Sequence, residues 1–198
     1  MNFLAHAHLS FNNPPILVGN MISDFIKGKK QFDYPAMVQK GIQLHRAIDN
    51  FTDTHEATQQ IKLFFKSHYR LYAGAFTDVT YDYFLANDLN VFATDESLKQ
   101  FATGVYNTLE NNFEILPQHF QAMLPYMKTQ NWLYNYKTKT GINRSFAGLV
   151  KRSTYLTESD TAFTIFNENF EAIQLQYDIF YTSLQNFTAN KLQQLLNT

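Results

Sequence analysis

Along this chain apolar residues return every three or four positions, and sustained alternation at a step of two is hard to find, so the pattern predicts helices. Punctuation is sparse, as long helices require, with seven Gly and five Pro in 198 residues. A first helix is expected over 2–10, stopped by Asn12, Asn13, Pro14 and Pro15, and a second from about Pro15 to Ile26, ending at Gly28. Pro35 suits the first turn of a third helix that reaches about Phe51. Thr52, Asp53 and Thr54 then offer caps for a fourth, over roughly 55–69. Beyond Gly74 a fifth carries Asp78 to Asn87, Thr94 or Asp95 caps a sixth, and Pro117 opens a seventh. A short amphipathic turn around Trp132 to Tyr136 is separated by Gly141 from a segment over 143–155.

The last predicted helix is the most regular. Phe163, Phe166, Phe170, Ile173, Tyr177, Phe180, Leu184 and Phe187 follow a 3-4-3-4 spacing that places them in one seam. A coiled-coil dimer and a helix packed across a bundle core both explain such a seam. Bulky Phe at most positions favours the second, because two-stranded coils prefer Leu and Ile there.

Composition narrows the class. Hydrophobic residues make up 45% of the chain and include 19 Phe and 12 Tyr, enough for a large core, and the formal net charge is only -1. That balance argues against disorder and against a nucleic-acid binder that relies on a strong positive field. No Cys is present, which removes disulfides, thiolate metal sites and Cys nucleophiles. No apolar run approaches the roughly 18–20 residues that span a bilayer, and the first residues lack the pattern of a signal peptide. The expectation is an all-α multi-helix bundle, one domain over 1–198, cytoplasmic, with no membrane or nucleic-acid partner, a monomer or weak homodimer.

The chemistry-bearing residues crowd into the first 82 positions. His6 and His8 fall in the first helix, Asp24 in the second, His45 and Asp49 one turn apart in the third, and Asp78 and Asp82 one turn apart in the fifth. Neutral imidazoles and carboxylates converging from several helices make a mixed N/O site that suits Mn, Fe or Zn better than Ca. Such a site polarises a phosphoryl oxygen and acidifies water. A single i,i+4 His/Asp pair on a helix is usually a surface pair or a satisfied hydrogen bond. If the first segment is helical, His8 points away from His6. Asp53 reads more readily as a cap than as a ligand, and His68 and His119 as surface or packing residues.

The order of several motifs resembles a known family. Met1-Asn2-Phe3-Leu4-Ala5-His6-Ala7-His8-Leu9 is similar to the N-terminal signature of the acyl carrier protein phosphodiesterases, and Gly19-Asn20 with Asp24-Phe25 and Gly28 to their second motif. The run from Gly41 through His45, Asp49 and Asp53 to His55, then Arg70 to Gly74, Asp78-Val79 and Asp82 to Ala86, continue the resemblance. So do Asn131-Trp132-Leu133, Tyr136, Gly141-Ile142 and Arg152. The family is regarded as a divergent branch of the His-Asp metal phosphohydrolases, so the resemblance implies an HD-domain-like bundle. It also implies a Mn-dependent enzyme that removes 4'-phosphopantetheine from holo-acyl carrier protein. His45 stands where the superfamily's motif histidine would be, but Arg46 follows it in place of the adjacent Asp, and Asp49 is left to supply the carboxylate.

The expected catalytic and metal residues are therefore Asp24, His45, Asp49 and Asp78, with His6 as a further metal ligand and Asp82 and His55 supporting them. Arg152 is the expected phosphate clamp, while Arg46 points off the face of His45. Lys27, Lys29 and Lys30 form a basic cluster suited to an acidic carrier protein, although Lys near a helix C-terminus is favoured in any case. Two other readings stay open: a phosphohydrolase acting on a nucleotide or another small phosphoester, and a helical interaction module without turnover.

Overall fold

The computed structural model describes residues 1–197, and among these there are eleven α-helices, four short 3-10 turns and no strand. The all-α expectation is met. The helices are α1 (Phe3–His8), α2 (Pro14–Ile22), α3 (Ala36–Thr54), α4 (Glu56–Tyr69), α5 (Ala73–Ala86) and α6 (Asp95–Asn111). They continue with α7 (Gln118–Thr129), α8 (Trp132–Asn135), α9 (Lys139–Arg152), α10 (Asp160–Glu168) and α11 (Phe170–Leu196). One continuous hydrophobic core joins residues from Met1 to Leu195. Among the described residues no helix is long and apolar enough to cross a membrane.

The centre of the bundle is α5, which buries Phe76, Val79, Tyr81, Phe84 and Leu85 together with Thr77, Thr80 and Asp82. A helix buried nearly all round must be surrounded by others, and α1, α4, α9 and α11 pack on it. Thr77 and Thr80 satisfy their buried hydroxyls on the carbonyls of Ala73 and Thr77.

The tightest crossing joins α2 to α3. Gly19 and Gly41 meet there backbone to backbone: a Cβ on Gly19 would lie 2.1 Å from the Val38 carbonyl oxygen, and one on Gly41 2.4 Å from that of Ile16. Only residues without a side chain permit that approach, and it lays Asn20 of α2 against His45 of α3.

Several boundaries differ from expectation. α2 ends at Ile22 rather than Ile26, and the chain tightens into a 3-10 turn over Ser23–Phe25 that carries Asp24. Thr52, Asp53 and Thr54 do not cap α4; they form the last turn of α3, where Thr52 and Thr54 donate back to the Ile48 and Asn50 carbonyls. The cap is His55, whose Nδ1 accepts from the Ala57 amide at 3.2 Å, and Asp53 pairs with Lys62 instead. Gly141 does not separate two segments but lies in the first turn of α9, donating its amide to the capping Thr138 hydroxyl at 2.9 Å. A Cβ there would strike the Asn135 carbonyl oxygen at 1.8 Å, which explains the glycine.

The aromatic seam is not one helix. It breaks at Asn169, whose side-chain amide donates to the Ile165 carbonyl at 2.9 Å and ends α10. The packing expectation holds nonetheless: Phe166, Ile173, Tyr177, Phe180 and Leu184 are buried, and α11 lies across α3 and α4.

Candidate metal centre

α1 is only six residues long and has no side-chain cap of its own. Its first turn is held from outside by Asp82 of α5, whose carboxylate accepts the Leu4 and Ala5 amides at 2.8 and 3.1 Å. Burial pushes the Asp82 carboxyl up to about 7 despite those two bonds. The consequence is positional: α1 is fixed at the heart of the bundle, with His6 buried and facing α3.

His6 and His45 stack there, and both are oriented by Asn20. His6 Nδ1 lies 2.8 Å from the Asn20 side-chain oxygen, and His45 Nδ1 lies 2.7 Å from the Asn20 carbonyl oxygen. A carbonyl only accepts, so His45 Nδ1 carries a proton. The Asn20 amide nitrogen donates to the His6 carbonyl and to Ser10, which fixes its oxygen toward His6 and gives His6 the same tautomer.

Both Nε2 atoms therefore turn toward carboxylates. His45 Nε2 stands 3.0 Å from Asp24 Oδ1 and 3.0 Å from Asp49 Oδ2; His6 Nε2 stands 3.2 Å from Asp49 Oδ1. Burial works against a charge on His45, but its bonds to Asp24 and Asp49 prevail and raise its pKa to about 9. His6 goes the other way: burial and the neighbouring His45 push it down to about 4. Asp49 sits well below the usual carboxylate range, because the bond to His45 and the proximity of His6 and the Met1 ammonium outweigh its own desolvation. A neutral His6 thus aims a lone pair at a carboxylate oxygen, and its buried Nε2 makes no hydrogen bond.

Two acceptors facing one another at this distance need a cation or a proton between them. His6, His45 and Asp49 each offer one ligand atom, all within 4.8 Å of one another, which is the spacing of groups able to hold a metal ion. The donor set of two imidazoles and a carboxylate fits a divalent transition metal. Asp24 is attached to the same His45 nitrogen, with its side chain 72% exposed, so this flank opens to solvent.

Asp78 also belongs to the neighbourhood. The Met1 ammonium lies between Asp49 and Asp78, at 3.3 and 3.2 Å. The other expected residues fall elsewhere. Asp82 caps α1, and His55 caps α4 and packs against Phe51 and Phe180. His8 is turned away from His6, as expected, onto Tyr181 and the rings of Phe92 and Phe101. Arg46 reaches Gln31 and the Ile26 carbonyl. Lys27, Lys29 and Lys30 are exposed on the chain leaving Asp24. Asn20 is the residue that sequence reasoning missed: Gly19-Asn20 stands out as a motif, but nothing local tells a buried Asn that orients two imidazoles from an ordinary one.

A cavity of about 380 Å³ adjoins the start of α1, where Asn2 and Phe3 form part of its wall. Arg144, Lys151 and Arg152 of α9 also line it, as do Trp132 and Tyr136. Asn2 donates its amide to the Tyr136 hydroxyl at 3.0 Å.

The family model for acyl carrier protein phosphodiesterase matches residues 1–184. Proteins named acyl carrier protein phosphodiesterase from Photorhabdus laumondii and Yersinia pestis are 29% and 27% identical to this chain over 191 residues, 96% of its length and 96% and 99% of theirs. One of the same name from Pectobacterium atrosepticum is 28% identical over 195 residues, 98% of this chain and 100% of its own. No solved structure matches. With the motifs of the N-terminal half gathered around one pair of histidines and the family match running from α1 into α11, the chain belongs to the acyl carrier protein phosphodiesterase family.

Proposed function

We propose that the protein hydrolyses the phosphodiester between 4'-phosphopantetheine and a serine of holo-acyl carrier protein. Water adds to phosphorus, the bond from phosphorus to the serine oxygen breaks, and apo-carrier and phosphopantetheine leave. The observation that carries this reading is the meeting of the His6 and His45 Nε2 atoms with Asp49, a donor arrangement that fits a cation. His6, His45 and Asp49 would hold the ion, with Asp24 and Asp78 completing the shell or positioning water. A bound divalent metal, Mn2+ as the family resemblance implies, would supply Lewis-acid polarisation of the phosphoryl group and acidify water.

The remaining work falls to the chain itself. Asn20 holds both imidazoles in the tautomer that points Nε2 inward. Asp24, on the open side, is placed to accept a proton from water or to orient it. Lys27, Lys29 and Lys30 give the acidic carrier a basic landing surface beside this opening.

The test is to incubate the protein with Mn2+ and holo-carrier protein and weigh the carrier by mass spectrometry. Loss of the whole phosphopantetheine arm is expected, and His45→Ala or Asp24→Ala should abolish it while the helical circular-dichroism signal persists. An unchanged carrier mass with cleavage of small diesters would point instead to a small-phosphoester hydrolase.

A further inference from the structure

The cavity beside α1 has a charge pattern that the metal centre does not explain. Arg144, Lys151 and Arg152 lie on one stripe of α9, at i, i+7 and i+8, and contribute three positive charges to its lining. No acidic residue is among the lining side chains. None of the three cations makes a hydrogen bond or salt bridge with a described residue. Elsewhere on the surface Lys62, Lys128 and Lys137 pair with Asp53, Glu110 and Asp95.

The lining also includes Phe3, Trp132, Tyr136 and Asn2. Gly148 belongs to it as well, and a Cβ there would lie 3.3 Å from Arg152 Nη1. A volume of about 380 Å³ is far too small for a folded partner and falls within the usual range for small-molecule sites. Guanidinium groups suit phosphate, and the rings and amides of the lining suit an extended apolar and amide chain.

We infer that this cavity is the binding site for the non-protein half of the substrate, a phosphate ester carrying an extended amide chain that ends in a thiol. Arg144 and Arg152 grip the phosphate end, and Trp132, Tyr136 and Asn2 line the path of the chain. The inference rests on the proposed activity for its choice of ligand and adds a specificity site to it. Asn2 and Phe3, which line the cavity, immediately precede or begin the helix that carries His6.

Trp132 is the chain's single tryptophan, so its emission reports on this cavity alone. Purified protein is titrated with free 4'-phosphopantetheine, with pantetheine and with inorganic phosphate. A saturable change with phosphopantetheine is expected, at least about tenfold tighter than with either fragment. Arg144→Ala and Arg152→Ala should each weaken it about tenfold or more. Both side chains are exposed, so folding is not at risk. Absence of a saturable change, or wild-type affinity in both variants, would overturn the assignment. Carrier cleavage is scored separately: normal cleavage without cavity binding removes the cavity and keeps the activity, and binding without cleavage does the reverse.

Discussion

His6 and His45 stack with ring centroids 3.8 Å apart and planes 13° from parallel, and both direct Nε2 at the carboxylate of Asp49. Side by side they favour a cation coordinated by nitrogen lone pairs over two protonated rings, since each charge would disfavour the other. The arrangement depends on Asn20, which faces His6 with its side chain and His45 with its main chain.

That asymmetry gives the first prediction. Asn20→Leu removes the partner of His6 but leaves the carbonyl that holds His45. Affinity for Mn2+ should fall roughly ten- to hundredfold by calorimetric titration, the usual cost of losing an orienting partner. Unchanged affinity would show that His6 is not a ligand.

Asp82 tests the claim that α1 is held from α5. Asp82→Ala strands two amides at the buried start of α1, each costing about 1–3 kcal/mol. A loss of roughly 2–4 kcal/mol in urea unfolding is expected, with a smaller loss for Asp82→Asn, which keeps one acceptor. A neutral alanine variant would refute the external cap.

Gly41 tests the close crossing. Gly41→Ala sets a methyl 2.4 Å from the backbone oxygen of Ile16, which cannot move aside as a side-chain tip can. Overpacking of this kind costs about 3 kcal/mol, and Mn2+ affinity should fall with it, because Asn20 and His45 ride on the two helices forced apart.

One part of the pH dependence of stability follows from His8. Burial lowers its pKa from 6.5 to about 4 in the folded protein. Between those values the unfolded chain binds more protons, so the His8 contribution to stability is full above about 6.5 and is lost as pH falls toward 4, by about 3 kcal/mol. In thermal melts His8→Gln should remove this part of the slope and leave the shares of His6, which burial likewise lowers to about 4, and of Asp82, whose raised carboxyl acts in the opposite direction. A slope identical to wild type would refute it.

Reversing Lys27, Lys29 and Lys30 to Glu should raise KM for the carrier protein and weaken its dependence on salt. kcat on a small diester should not change, since none of the three contacts the histidines. An unaltered KM would place docking elsewhere.

Much of this molecule was legible before folding. Helix periodicity is local, so α3 and the His45/Asp49 pair one turn apart on its face could be read directly, as could the Thr94 cap of α6. Boundaries failed where a side chain competes with the backbone, as Asn169 does in the aromatic seam, or where a single residue serves two helices, as His55 does between α3 and α4.

The amino-acid order by itself determined an all-helical chain, the histidines and aspartates available to a cation, and the family. Folding alone decided that Asn20 orients both imidazoles, that Asp82 caps a helix, and that Arg144 joins Lys151 and Arg152 around a cavity. The physical reason is that spacing along a helix fixes which face a side chain occupies, whereas convergence depends on how helices cross. Here that crossing is set by backbone contact between Gly19 and Gly41, residues with no side chain to announce it.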